Sequence, residues 1–367
     1  MAVIKLKSFS LSGYKSIKEI TEFEPGPVNI LIGPNGSGKS NFISFFGFLT
    51  KMLNPVGKMQ EFIAYQGGAS DLLHDGPEVT NTISAQIVVE SQSDISEYGF
   101  SVGFAKPDTL KFLEEKYRSY TIGSENTAKW ILNGSGYDEA KLPEQTHKTA
   151  VTVLSLMKKL IVHQFYNTSE TANIRLKWSK DDSRWLKPNG DNLGSFLFRL
   201  QNEEPLYYRR IVSYIRVVLP FFDDFELYPE YDKILLRWKE KGSIKVFNAS
   251  QASDGMLRVI ALISLLGQKP SDLPAVLFLD EPELGLHPSA IDLLAGLIKS
   301  ASEHCQVFAA TQSLSLVNNF ELHDLVVIDR KQRASEYRRA NPVEFEAYLE
   351  DYSTGQLWEK NVIGGRP

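Results

Sequence analysis

An α/β fold built around a phosphate-binding loop is the class this sequence predicts, on three observations. An apolar run at 28–32 feeds directly into Gly-Pro-Asn-Gly-Ser-Gly-Lys-Ser at 33–40, which satisfies GxxxxGK[ST] in a strand–loop–helix setting. A second apolar run, at 275–279, ends on the adjacent carboxylates Asp280 and Glu281. Along the rest of the 367 residues, segments of strand period alternate with segments of helix period.

The spacing in the loop has a chemical reason. Gly33, Gly36 and Gly38 let the backbone turn tightly and aim N–H groups at an anion without Cβ obstruction. Lys39 supplies a positive charge for the β/γ oxygens of a nucleotide such as ATP. Ser40 offers a hydroxyl to Mg2+, and the helix starting there points its positive end at the ligand. Asn35, Ser37 and Asn41 complete the run of nucleotide-binding candidates. The bland alternative is a glycine-rich turn that opens a helix.

In chain order, residues 3–32 read as strand, turn, strand, with Pro25-Gly26-Pro27 punctuating before the central strand. The amino terminus alternates apolar and polar residues instead of forming a continuous signal core, and reads as an edge strand. A helix is expected over 40–52. Residues 82–90 and 98–104 alternate, predicting antiparallel strands in a β-layer over the nucleotide. Residues 110–143 are polar and mixed and are expected to be a loop-and-helix insertion. A buried strand at 159–165 follows, then helices over 191–200 and 207–218, strands at 235–238 and 244–248, and an apolar helix at 256–266. The expected layout is one unit: a first lobe at 1–105, a helical insertion region at 106–230, the second half of the site at 231–345 and a tail at 346–367. No internal repeat and no long heptad run is present.

Composition narrows the classes. Forty basic against forty-five acidic residues leave a net charge of −5, which argues against a chain coated in positive charge for unspecific duplex binding, though a local basic groove stays open. Cys305 is the single cysteine, which excludes an internal disulfide or a CxxC metal hook and fits a reducing cytoplasm. Its simplest reading is a small buried hydrophobe. No window approaches ~18 uninterrupted apolar residues, so no membrane span is expected.

A phosphate-loop enzyme needs one carboxylate to position Mg2+ through its shell and another to polarise water. Asp280 takes the first role and Glu281 the second; an acidic strand end before the Pro282 turn is the plainer alternative. At 248–258, Ser253 and Asp254 precede an apolar helix, where N-capping side chains belong. Capping alone would explain them.

The stretches GPNGSGKSN, ASDGMLR, LFLDEPELGLHP and ATQS, in that order, resemble the ABC-type ATPase heads of the RecF/SMC/OLD group, and more closely the stand-alone AAA-family ATPases of bacteria. The resemblance takes in nearly the whole chain, including QGGASDLLHDG at 66–76, HQFYNTS at 163–169, DNLGSFLFRL at 191–200 and YSTGQLWEKNVIGGRP at 352–367. It implies an ABC-type head: a P-loop core, an antiparallel β-layer and a helical insertion lobe. It also implies a homodimer or higher homo-oligomer that sandwiches ATP between one subunit's phosphate loop and the other's signature motif. Carried over, Gly36, Gly38, Lys39 and Ser40 would bind phosphates and Mg2+, Ser253 and Gly255, flanking Asp254, would meet the opposing γ-phosphate, Asp280 would serve the metal shell and Glu281 would be the general base. Gln164 is the candidate metal- and water-sensing glutamine, and Lys15 and Ser16 in GYKSI resemble amino-terminal nucleotide contacts. A polar residue after a strand is as readily a solvated turn.

Two departures from the family pattern matter. Gln312 stands where many relatives carry a switch histidine; an amide can hydrogen-bond a γ-phosphate but cannot titrate near neutral pH, so slow turnover is expected. Between Ser40 and Ser253 there are no coiled-coil arms and no zinc hook, so tethering is not expected. Beyond 325–329 roughly forty residues remain, fewer than the ~100 expected of the Toprim nuclease domain of OLD proteins, so any nuclease or toxin activity is expected in a partner. The resemblance therefore implies a cytoplasmic ATPase whose nucleotide state gates a partner effector in anti-phage defence. The alternative is a RecF-like DNA-repair ATPase, with Lys111, Lys116 and Arg118, or Lys177, Lys180, Arg184 and Lys187, as its basic surface.

Overall fold

Two six-stranded sheets carry the architecture. The computed structural model describes residues 4–366 apart from 54–57, 125–127, 164, 166 and 167, so the candidate Gln164 lies outside the described residues. The first sheet runs Ala334–Arg339, Leu325–Lys331, Val28–Ile32, Gln306–Ala310, Val276–Asp280, Leu160–His163, and is parallel except for its first strand. Every residue of its three central strands is buried. Parallel strands are covered on both faces, which is why these segments read as continuous apolar runs.

Period-two alternation divides that sheet between two cores. Ile30, Ile32, Leu277 and Leu279 enter the core built with helices Leu193–Glu203, Pro205–Val218, Asp254–Gly267 and Pro288–Ser302. Leu31, Phe278 and Phe308 enter the other, beneath the helix Lys39–Met52. That helix buries Phe42, Phe45, Phe46 and Phe48, and Phe46 stacks on Phe278 with centroids 4.2 Å apart. Such ring pairs add ~0.5–1.5 kcal/mol beyond their buried area. The helix therefore has a fixed position relative to the carboxylate strand.

The second sheet is the antiparallel layer, ordered Ile17–Phe23, Ile4–Tyr14, Thr82–Ser91, Asp94–Ala105, Thr109–Thr121, Ile131–Gly134. Two expectations are corrected here. The amino-terminal strand is interior, flanked by Ile17–Phe23 and Thr82–Ser91. Its alternation reports one solvated face, which interior antiparallel strands share with edge strands. Residues 110–143 carry strands where loop and helix were expected. The carboxylate of Glu115 lies in the core, accepting from Tyr98, Tyr137, Asn133 and the N–H groups of Lys141 and Leu142. A buried, fully bonded carboxyl interrupts the apolar pattern by which a strand is read.

Among the described residues no helix exceeds the 15 residues of Pro288–Ser302, so no coiled-coil arm leaves the head. None is long and apolar enough to cross a membrane. Cys305 is buried, as expected, and burial pushes its thiol up to about 12.

Candidate functional site

The loop at 33–40 lies at the carboxyl end of the Val28–Ile32 strand, and its shape depends on missing Cβ atoms. A Cβ on Gly33 would stand 2.3 Å from the Ile328 carbonyl oxygen, and one on Gly38 would stand 2.2 Å from Ser335 Oγ. Gly38 also has φ +116, and it opens the Lys39–Met52 helix with no side-chain cap. An uncapped helix start carries ~+0.5 charge and free N–H donors, a ready anion site.

Hydroxyls brought from far along the chain hold the loop's outer side. Ser335 Oγ donates to the Ser37 carbonyl, Tyr337 to that of Gly38 at 3.2 Å and Arg330 to that of Gly36 at 3.2 Å. Ser16 Oγ shares a hydrogen bond with Ser335 Oγ at 2.7 Å and accepts from Asn41 Nδ2 at 2.8 Å. Ser16 and Asn41 are thus brought to the loop, whereas the Lys15 ammonium donates to Gln66 at 2.8 Å. Asn35 and Gly36 are exposed at the loop's tip.

Lys39 is buried, and its ammonium donates to the carbonyls of Gly33 at 2.6 Å and Pro34 at 3.1 Å. Burial lowers its pKa, against the opposing pull of Glu281, Asp280 and Glu283. Ser40 Oγ donates to Asp280 Oδ1 at 3.4 Å, which joins the loop to the second carboxylate motif.

Glu281 adopts φ +42 and its N–H donates to the Ala310 carbonyl at 2.8 Å, so the chain turns sharply at the strand end. Its Oε1 accepts from Gln312 Nε2 at 2.6 Å. The residue at the switch position therefore touches the candidate base directly. Behind the pair lies a cavity of about 20 Å³, lined by His163, Phe165, Arg258, Asp280 and Glu281. His163 is buried, which lowers its pKa to about 4 and keeps it neutral.

Ser253 and Asp254 behave first as their capping position predicts: Ser253 Oγ accepts from Met256 N at 3.2 Å. Asp254 accepts from Arg175 at 2.8 Å, and this contact holds its carboxyl below the usual range. A Cβ on Gly255 would lie 3.0 Å from the Gly285 carbonyl, so the 253–255 group packs on the turn that follows Glu281. Among the described residues no hydrogen bond or ion pair joins 253–255 to the loop at 33–41.

Sequence reasoning missed two residues. Arg175, at the end of the short 3-10 helix Asn173–Arg175, is buried and donates to the carbonyls of Thr168, Ala249 and Ala252 as well as to Asp254; a lone arginine gives no pattern to find. Glu283 accepts from Thr311 Oγ1 and from Gln312 N; its signal was the second glutamate in the Asp280-Glu-Pro-Glu283 run.

The residues present fit a nucleoside triphosphate and a divalent cation. The glycine cradle and uncapped helix end suit phosphate, Ser37 Oγ is buried without a partner, and Ser40 with Asp280 forms the hydroxyl–carboxylate set that hard cations take. The two basic clusters are different. Lys111, Lys116, Arg118, Lys177, Lys180, Arg184 and Lys187 each lie within 4.0 Å of a carboxylate.

Residues 28–318 match the family model described as "AAA domain, putative AbiEii toxin, Type IV TA system". The chain belongs to that AAA-domain family. Membership implies nucleotide binding with a divalent metal and ATPase chemistry. The AAA-domain chain is 24% identical to the Old nuclease of Escherichia phage P2 over 364 residues, 86% of this chain and 57% of that protein. It is 26% identical to the Urease accessory protein 2 of Cryptococcus neoformans var. grubii over 196 residues, 49% of this chain and 15% of that one. Its similarity to the Chromosome segregation protein sudA of Emericella nidulans is again 26%, over 197 residues, with the same 49% and 15%. The chain thus spans well under two thirds of each of these relatives. Among solved structures, the Smc head domain bound to the C-terminal domain of ScpA, derived from Pyrococcus furiosus, superposes with a TM-score of 0.59 at 14% identity, covering 95% of this chain and 99% of that one. The Smc head with a coiled coil and joint from Pyrococcus yayanosii gives 0.58 at 11% identity, again covering 95% and 99%. At such identity the likeness is one of fold.

Proposed function

We propose that this chain binds ATP with Mg2+, hydrolyses it slowly, and closes as a homodimer around two nucleotides to gate a separate effector protein in bacterial anti-phage defence. One observation carries the reading: the phosphate loop faces the carboxylate pair across the sheet, with Ser40 Oγ 3.4 Å from Asp280 and Gln312 Nε2 2.6 Å from Glu281. The loop N–H groups and Lys39 bind and orient the triphosphate. Ser40 and Asp280, with Gln164 outside the described residues, would hold Mg2+, which would supply charge neutralisation to the triphosphate. Glu281 takes the proton of the attacking water, and Gln312 fixes the carboxylate that does so. Ser253, Asp254 and Gly255 then present a helix start to the nucleotide of the partner subunit.

Direct DNA binding, the alternative, gains little from the basic clusters, because their charges are already paired. The nuclease named in the Old relative belongs to a protein of which this chain spans 57%, and any such chemistry is assigned to a partner.

The test is phosphate release with Mg2+ and ATP. Lys39→Ala is expected to abolish nucleotide binding, while Glu281→Gln keeps binding and loses about a hundredfold or more in turnover. Equal turnover in wild type and Glu281→Gln would remove Glu281 from the reaction and leave a nucleotide-binding scaffold.

A further inference from the structure

Building on the reading above, we propose that Glu283 is the positioning residue of the hydrolytic centre, holding Thr311 and Gln312 so that the Gln312 amide stays on Glu281. Glu283 Oε1 receives two hydrogen bonds from the exit of the Gln306–Ala310 strand, one from Thr311 Oγ1 and one from Gln312 N at 3.2 Å. Thr311 is completely buried, its N–H donates to the Leu31 carbonyl at 3.0 Å, and its hydroxyl accepts from Ser313 N at 2.9 Å. Glu281 N donates to the Ala310 carbonyl at 2.8 Å, and Gln312 Nε2 donates to Glu281 Oε1 at 2.6 Å. These bonds close a circuit through Glu281, Glu283 and 310–313. Glu283 is the member that binds both the backbone and the side chain of that exit.

The rest of its surroundings argue that Glu283 is not there for stability. Its second oxygen is buried with no hydrogen-bond partner among the described residues, and burial, together with the nearby Glu281, raises its pKa. A buried carboxylate satisfied on one oxygen costs free energy that an apolar side chain would not. Such a cost persists where a site needs the geometry. Here the need is definite: an amide whose backbone loses both anchors can rotate off Glu281, and a displacement of ~1 Å at a reacting group costs ~100-fold in rate. With Nε2 committed to Glu281, the amide's own oxygen is left to accept from the nucleophilic water.

The full-length chain carries the test, with kcat and the Kd for ATP measured separately. Glu283→Ala is expected to lose tenfold to a hundredfold in kcat, on the order of a ~1 Å misplacement, with Kd unchanged within about threefold. Glu283→Gln, whose Oε1 still accepts both bonds, should retain most of the rate, and Thr311→Val should fall between. Wild-type kcat in Glu283→Ala overturns the proposal. So does an equal loss in Glu283→Gln, which would assign the effect to charge. If Glu283→Ala does not fold, Thr311→Val decides alone, and an unchanged kcat there overturns the proposal. A wild-type chain without ATP turnover, or a Glu281→Gln variant with undiminished turnover, removes the parent reading and this one with it.

Discussion

Gly38 bears a double steric demand, since its backbone has φ +116 and a Cβ would stand 2.2 Å from Ser335 Oγ and 2.8 Å from Ser16 Oγ. Either fact alone makes a side chain costly; together they mean that loop, Ser16 and Ser335 cannot all keep their places. Gly38→Ala is therefore expected to lower stability by about 1–3 kcal/mol and to weaken nucleotide affinity at least tenfold. Thermal melts and a fluorescent-nucleotide titration check both. Restoration of part of the stability by adding Ser335→Ala would identify that hydroxyl as the obstacle. The glycine pattern was legible because the phosphate loop is one of the few places where spacing alone encodes backbone geometry. The contacts of Glu283 were not legible: its acceptor role exists only after two strands separated in sequence end side by side.

At the scale of elements, the start of the Asp254–Gly267 helix depends on one buried side chain. Arg175 bridges the Thr168 carbonyl at 2.7 Å, the Ala252 carbonyl at 2.9 Å and Asp254 at 2.8 Å. Replacing it with methionine keeps much of the volume and strands those carbonyls. A loss of about 2–4 kcal/mol in denaturant unfolding is expected, and a loss under about 1 kcal/mol would mean that water takes over the bonds. Because Ser253 and Gly255 sit on the same turn, the variant should also impair any nucleotide-linked assembly. The elements themselves were largely readable. The central parallel strands and the Lys39–Met52 helix stood where apolar period and the loop motif put them. The Thr109–Thr121 strand did not, since Glu115 serves as an internal acceptor and masks its alternation.

For the whole molecule, the proposed sandwich predicts a mass that depends on nucleotide. Light scattering on Glu281→Gln with ATP and Mg2+ should give a larger species than the same chain without ATP, and Ser253→Arg should abolish it. A mass indifferent to nucleotide in both would point to constitutive assembly or to none. One further property follows from how the loop is clamped. Ser335 and Tyr337 reach Ser37 and Gly38 across 298 and 299 positions of sequence. A chain still being synthesised has its phosphate loop outside the ribosome long before those hydroxyls emerge. Competence to capture nucleotide thus waits on translation of the Ala334–Arg339 strand, and a product terminated before that strand would carry the full motif in its sequence without the hydroxyls that clamp the cradle.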